Sequence, residues 1–162
     1  MSLGVHFALT EVDEDRLLAA ESDEDVMAIV EEIEESYPAE SKCDTDKAWD
    51  PIHRALTDGR LEYANGTFPL NAAILGGDQL IDELDYTVTY LSATQVPVVA
   101  EALDAIEEDW FRARYFAIDD PEYITEIGEE DYDYAWDGFQ DVRDFFAATA
   151  KSGRAVIFTV DA

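Results

Sequence analysis

Apolar and polar residues alternate through GVHFALT (4–10), a stretch rich in β-formers, and the pattern predicts a first strand. A short helix through Leu17 and Leu18 follows, with Thr10 and Asp13 both suited to cap it. Val26, Ile29, Val30 and Ile33 then recur at i, i+3, i+4 and i+7, while Glu31, Glu32, Glu34 and Glu35 fill the opposite face. This predicts an amphipathic helix over 24–36, ended by Pro38. In DTDKAWDPIHRALTDG (44–59), Ala48, Trp49, Ile52, Ala55 and Leu56 share one side of a helix, with Asp44 or Asp46 as its cap. Pro51 suits only a first turn, so the helix either restarts with Asp50 as cap or bends there. Gly59 ends it in a left-handed turn.

Further along, PLNAAILGG (69–77) reads as a short helix from Pro69 with Gly76 and Gly77 past its end, a strand being the alternative. YTVTYL (86–91) reads as a strand. Ser92 and Gln95 form a capping-box pair, with Thr94 as the competing cap. The helix they open carries Val96, Val99, Ala100, Leu103 and Ile106 on one face and runs on towards Trp110. A last long helix spans about 129–151, with Trp136, Phe139, Val142, Phe145, Phe146 and Thr149 inward and Lys151 and Gly153 at its end. RAVIFTV (154–160) is an apolar closing strand that suits the centre of a sheet. With no repeat and no low-complexity linker, residues 1–162 read as a single α+β domain: one small mixed sheet covered by several helices.

Composition adds constraint. The 162 residues hold 39 acidic against 10 basic side chains, a formal charge of −29. Such a surface repels phosphate backbones, so neither nucleic acid nor an anionic membrane is expected as a partner. The acids are spread over most of the chain, which favours a solvated surface suited to high salt over a patch imitating nucleic acid. No apolar run approaches the roughly 20 residues of a membrane span. A secretory signal pattern is lacking, and a cytoplasmic location is the expectation. Ser2 and Leu3 are open to reading as an expression remnant. The lone Cys43 excludes an internal disulfide and a multi-cysteine zinc site.

Candidate chemistry is sparse. There is no G-x-S-x-G elbow, no Walker lysine, no H-x-x-x-H pair and no complete EF-hand loop. Asp44, Asp46 and Asp50 can approach His53, but acid clusters arise by chance in so acidic a chain. No catalytic residue, metal site or cofactor is therefore expected. His6 lies within a strand and reads as structural. His53 follows Trp49 by one turn, so the two rings are expected to meet, as core packing or as the wall of a site. The acidic, aromatic segment from Tyr123 to Phe146 offers Tyr132 and Tyr134, half exposed, as protein contacts.

The residues Asp46, Lys47, Trp49, His53, Leu56, Thr57, Pro69, Leu70, Ile74, Leu75, Gly76, Gly77, Tyr90 and Leu91 carry a resemblance, dense over 44–106. In them the chain resembles the YfbM-like family of bacterial domains of unknown function. It departs at Pro51, at Asp58, and at Thr87 and Thr89, where that family often has glycine and arginine. The resemblance implies a compact α+β domain and no established activity. It makes the helix with Trp49 and His53 and the Gly76–Gly77 turn a shared unit, a fold nucleus or a pocket. Three functions stay open. The leading one is a non-catalytic interaction module whose partner is a basic protein. The second is an enzyme or small-ligand binder with a pocket of Asp46, Trp49, His53, Gly76, Gly77 and Tyr90. The third is an immunity-like or nucleic-acid-mimicking inhibitor.

Overall fold

A computed structural model of the chain describes residues 3–82 and 85–161; Ser2 lies outside them. Five strands, β1 (Gly4–Ala8), β2 (Lys42–Asp46), β3 (Asp78–Gln79), β4 (Thr87–Leu91) and β5 (Val156–Val160), form one sheet in the order β2-β1-β5-β4-β3. Among the described residues six α-helices accompany it: α1 (Glu11–Ala19), α2 (Asp23–Ser36), α3 (Trp49–Leu56), α4 (Val96–Asp104), α5 (Glu108–Phe116) and α6 (Glu129–Ser152). The α+β class holds. The sheet is not mixed, however, because every pairing is antiparallel. A parallel pair needs a crossover connection, whereas the α1–α2 helix pair returns the chain so that β2 runs back along β1.

Side chains alternate between two cores. Phe7, Val88, Tyr90 and Ile157 face α1 and α2 with Leu17, Val26, Val30 and Ile33. Ala8, Leu91, Val156, Phe158 and Val160 face α3 to α6 with Ile52, Leu103, Phe111, Phe139 and Phe146. Both faces of the sheet are thus covered. This is why β4 and β5 are buried at every position, and why VIFTV carries no polar alternation. Among the described residues, no helix is long and apolar enough to cross a membrane.

Local chemistry sets most helix ends. The Thr10 and Ser22 hydroxyls accept from the amides of Asp13 and Asp25, capping α1 and α2. Ser92 and Gln95 exchange the reciprocal bonds of a capping box ahead of α4. Gly153, at φ +70°, closes α6.

Three expectations change. Residues 42–46 form a strand, so α3 starts at Trp49 with Ala48 before it and no side-chain cap; Asp46 is engaged elsewhere. Pro51 is then the third helical residue, where no amide bond is lost and no bend is needed. The helix after Ser92 stops at Asp104, since Glu107 is extended at ψ 157°, and Trp110 rides half exposed on a separate helix under the Arg114 guanidinium. Tyr132 is sealed at 1% exposure, with its hydroxyl on Glu108, because it points between α5 and α6.

Candidate functional site

Close approaches place the start of α3. A Cβ on Gly138 of α6 would come within 2.7 Å of the Ala48 Cβ, so a glycine lets α3 rest directly on α6. A Cβ on Gly4 of β1 would likewise meet the Trp49 ring at 2.7 Å. Trp49 also packs on Phe158 of β5, with ring centroids 6.0 Å apart. These contacts fix one wall of a cleft of about 690 Å³ lined by Asp46, Lys47, Trp49, Asp50, Leu61, Tyr123, Glu126, Asp131 and Tyr134.

Tyrosine hydroxyls orient its carboxylates. Tyr115 and Tyr123 both donate to Oδ2 of Asp131, at 2.5 and 2.7 Å. Burial, and then the Asp131 charge, push both phenols well above their ordinary range, so they stay protonated donors. Tyr134 donates to Oδ2 of Asp46 at 2.7 Å and accepts from the Lys47 amide at 3.1 Å, tying the β2–α3 turn to α6. Asp46 sits at φ +53°, a conformation that aspartate tolerates better than most residues.

Behind the cleft lies a buried cation. Arg54 is 2% exposed and donates through Nε to Asp50 (2.6 Å) and through Nη1 to Asp120 (2.9 Å) and the Gly59 carbonyl (3.1 Å). Its guanidinium lies over the Tyr123 ring, 5.2 Å from the centroid. Burial pushes the Asp50 carboxyl up, and Arg54 pulls it back down in part. The cleft thus presents Asp46, Asp50, Glu126 and Asp131 beside Lys47, with three aromatic residues among them. It can accept a cation. Among the described residues, no three His, Cys, Asp or Glu side chains converge to hold a metal ion.

The structure brings only part of the sequence-derived pocket together. Of its residues, Asp46 and Trp49 line the cleft; Tyr134, expected as a protein contact, lines it too and is 40% exposed. His53 points the other way, fully buried, with Nε2 2.8 Å from the Glu62 carbonyl and 2.9 Å from Asn65 Oδ1. Gly76 packs against the Asn71 backbone and Gly77 against that of Tyr90, where a Cβ would clash. Tyr90 lies on the α1–α2 side of the sheet and donates to Glu14. His6 is buried among Phe145, Phe146 and Phe158, with Nε2 2.7 Å from the Ala73 carbonyl. Asp131, Tyr115 and Leu61 carry no local signal, since partners 8 to 16 residues apart in sequence meet only through the fold. Tyr123 stands out only as the start of the aromatic, acidic segment.

Comparison with known proteins agrees with this fold and adds no activity. The solved structure of YfbM from Escherichia coli, a protein of unknown function, matches at a TM-score of 0.70 and 14% identity, over 98% of this chain and 99% of that one. At that identity the likeness speaks to the fold alone. No curated protein sequence matches the chain significantly. A family model described as "Domain of unknown function (DUF1877)" matches residues 1–159, so the resemblance seen over 44–106 extends along the chain, which belongs to that family.

Proposed function

We propose that this protein is a non-catalytic binding module whose cleft takes a cationic side chain presented by a basic protein. The observation that carries this reading is the Asp131 carboxylate, held by two tyrosine hydroxyls beside Trp49 and Tyr123. A carboxylate already oriented costs little to engage, and aromatic faces attract an ammonium or guanidinium. The net charge of −29 steers such a partner from a distance. Tyr134, 40% exposed in the cleft lining, adds contact area. A pocket with His53 as base draws no support from the geometry, since that imidazole is sealed and bonded to a loop.

Calorimetric titration with a lysine-rich peptide tests the reading. Binding should weaken on the order of tenfold between low and physiological salt. Replacing Glu126 and Asp131 by Gln and Asn should abolish it. Replacing Glu31 and Glu35 on the outer face of α2 by Gln removes equal charge and should leave it nearly intact. Equal losses from the two pairs would refute the cleft as the site.

A further inference from the structure

The loop after α3 contributes Leu61 to the cleft, and it is held from beneath by His53. The Asn65 amide fixes the sense of that bond. Its Nδ2 donates to Thr57 Oγ1 (3.1 Å), Asp58 Oδ1 (2.7 Å) and the Arg60 carbonyl (2.8 Å), so Oδ1 is the atom facing the imidazole. Both partners of His53 Nε2 are then acceptors, and Nε2 carries the proton of a neutral ring. Nδ1 is buried without a partner. Left-handed glycines, Gly59 at φ +92° and Gly66 at φ +75°, bound the segment.

We propose that His53 is an acid-sensitive latch: protonation of its buried imidazole frees loop 58–66, and with it the Leu61 wall of the cleft, while the sheet and α6 stay folded. A proton added at Nδ1 finds no acceptor and places a charge in a site closed to water. The charged groups around the ring do not remove that penalty. On α3 they are Asp50 and Arg54, already paired with each other. On the loop they are Asp58 and Arg60, also paired, and Glu62, which offers its carbonyl. Arg114 of α5 is spent on the Ala55 and Thr57 carbonyls. Asp131 of α6 accepts from Tyr115 and Tyr123, and residues 70–73 hold no charge. Burial lowers the His53 pKa below its ordinary 6.5, so the latch is intact above that value and loosens as pH falls beneath it. Asp58 does not titrate in that window, because Asn65 and Arg60 hold it down at about 2.

Only the consequence for binding rests on the cleft reading; the latch itself is tested without ligand. NMR spectra of the wild type and of His53→Gln are followed from about pH 7.5 to about pH 4.5. In the wild type, the Asn65 side-chain amide and the backbone of 58–66 should move to mobile-chain values at the midpoint of the His53 ring, with β5 amides unmoved. In His53→Gln, whose amide can donate to the same acceptors without titrating, the loop signals should stay fixed. Loop signals that ignore the ring's titration, or that move only together with β5, would overturn the latch. So would loop signals that still move with acid in His53→Gln while the β5 amides stay fixed. If that variant does not fold, the wild-type comparison of ring, loop and β5 midpoints decides alone.

Discussion

Tyr123 donates its hydroxyl to Oδ2 of Asp131 at 2.7 Å, and both residues line the same cleft. The bond joins the segment after α5 to the first turn of α6 and fixes the direction of a carboxylate. Tyr123→Phe removes it and leaves Tyr115 as the single donor. The expected cost is about 1 kcal/mol of stability, with weaker binding of a lysine-rich peptide. Urea denaturation and calorimetry check the two, and unchanged peptide affinity would show that the carboxylate needs no such orientation.

Gly138→Ala sets two effects against each other. Helix propensity alone favours alanine by roughly 1 kcal/mol in a helix interior. The new methyl, however, would lie 2.7 Å from Ala48 and 3.3 Å from Ile52 on a helix that cannot retreat without disturbing Trp49. The clash should win, with a loss of about 1–2 kcal/mol in urea denaturation. A stabilised variant would mean that the α3–α6 contact is soft.

His6 should make folding acid-sensitive. Burial lowers its pKa to about 4, against 6.5 when unperturbed, so the unfolded chain takes up this proton first as pH falls. The stability it supports is whole above pH 6.5 and is lost on the way down to pH 4, by about 3 kcal/mol. NMR titration of the ring in the folded protein checks this, and a midpoint near 6.5 would contradict it.

Salt should stabilise the fold. A charge of −29 on one domain repels itself, and added salt screens that repulsion. The melting temperature should therefore rise from low to molar sodium chloride. A flat profile would mean that the acids are spaced too widely to oppose folding.

How much of this was legible in the sequence depended on how local each signal was. The spacing of Val26, Ile29, Val30 and Ile33 defined α2, and the apolar run at 156–160 pointed to a central strand. For the caps the sequence narrows the choice to two residues each, Thr10 or Asp13 and Ser92 or Thr94, and Thr10 and Ser92 are the ones that accept. β2 gives no strand signal because its inward residues are only Cys43 and Thr45, alternating with charged ones that read as helix caps. β3 is two polar residues held by pairing with β4, which no local pattern announces. Trp49 and His53, one turn apart, look like one unit in the linear pattern. In the fold the indole turns to Gly4 and the cleft, and the imidazole to Glu62 and Asn65. The pairing of Asp131 with Tyr115 and Tyr123 is created by the packing of α5 on α6 and has no precursor in the linear pattern.

The most direct test of the cleft as a cation site uses the three tryptophans as internal reporters. Trp49 lines the cleft, whereas Trp110 and Trp136 lie on α5 and α6 away from its lining. In a two-dimensional NMR titration with a lysine-rich peptide, the Trp49 indole should shift saturably while the other two stay in place. Shifts spread over all three indoles, or a silent Trp49, would contradict the account and leave only the non-specific attraction of a polyanion.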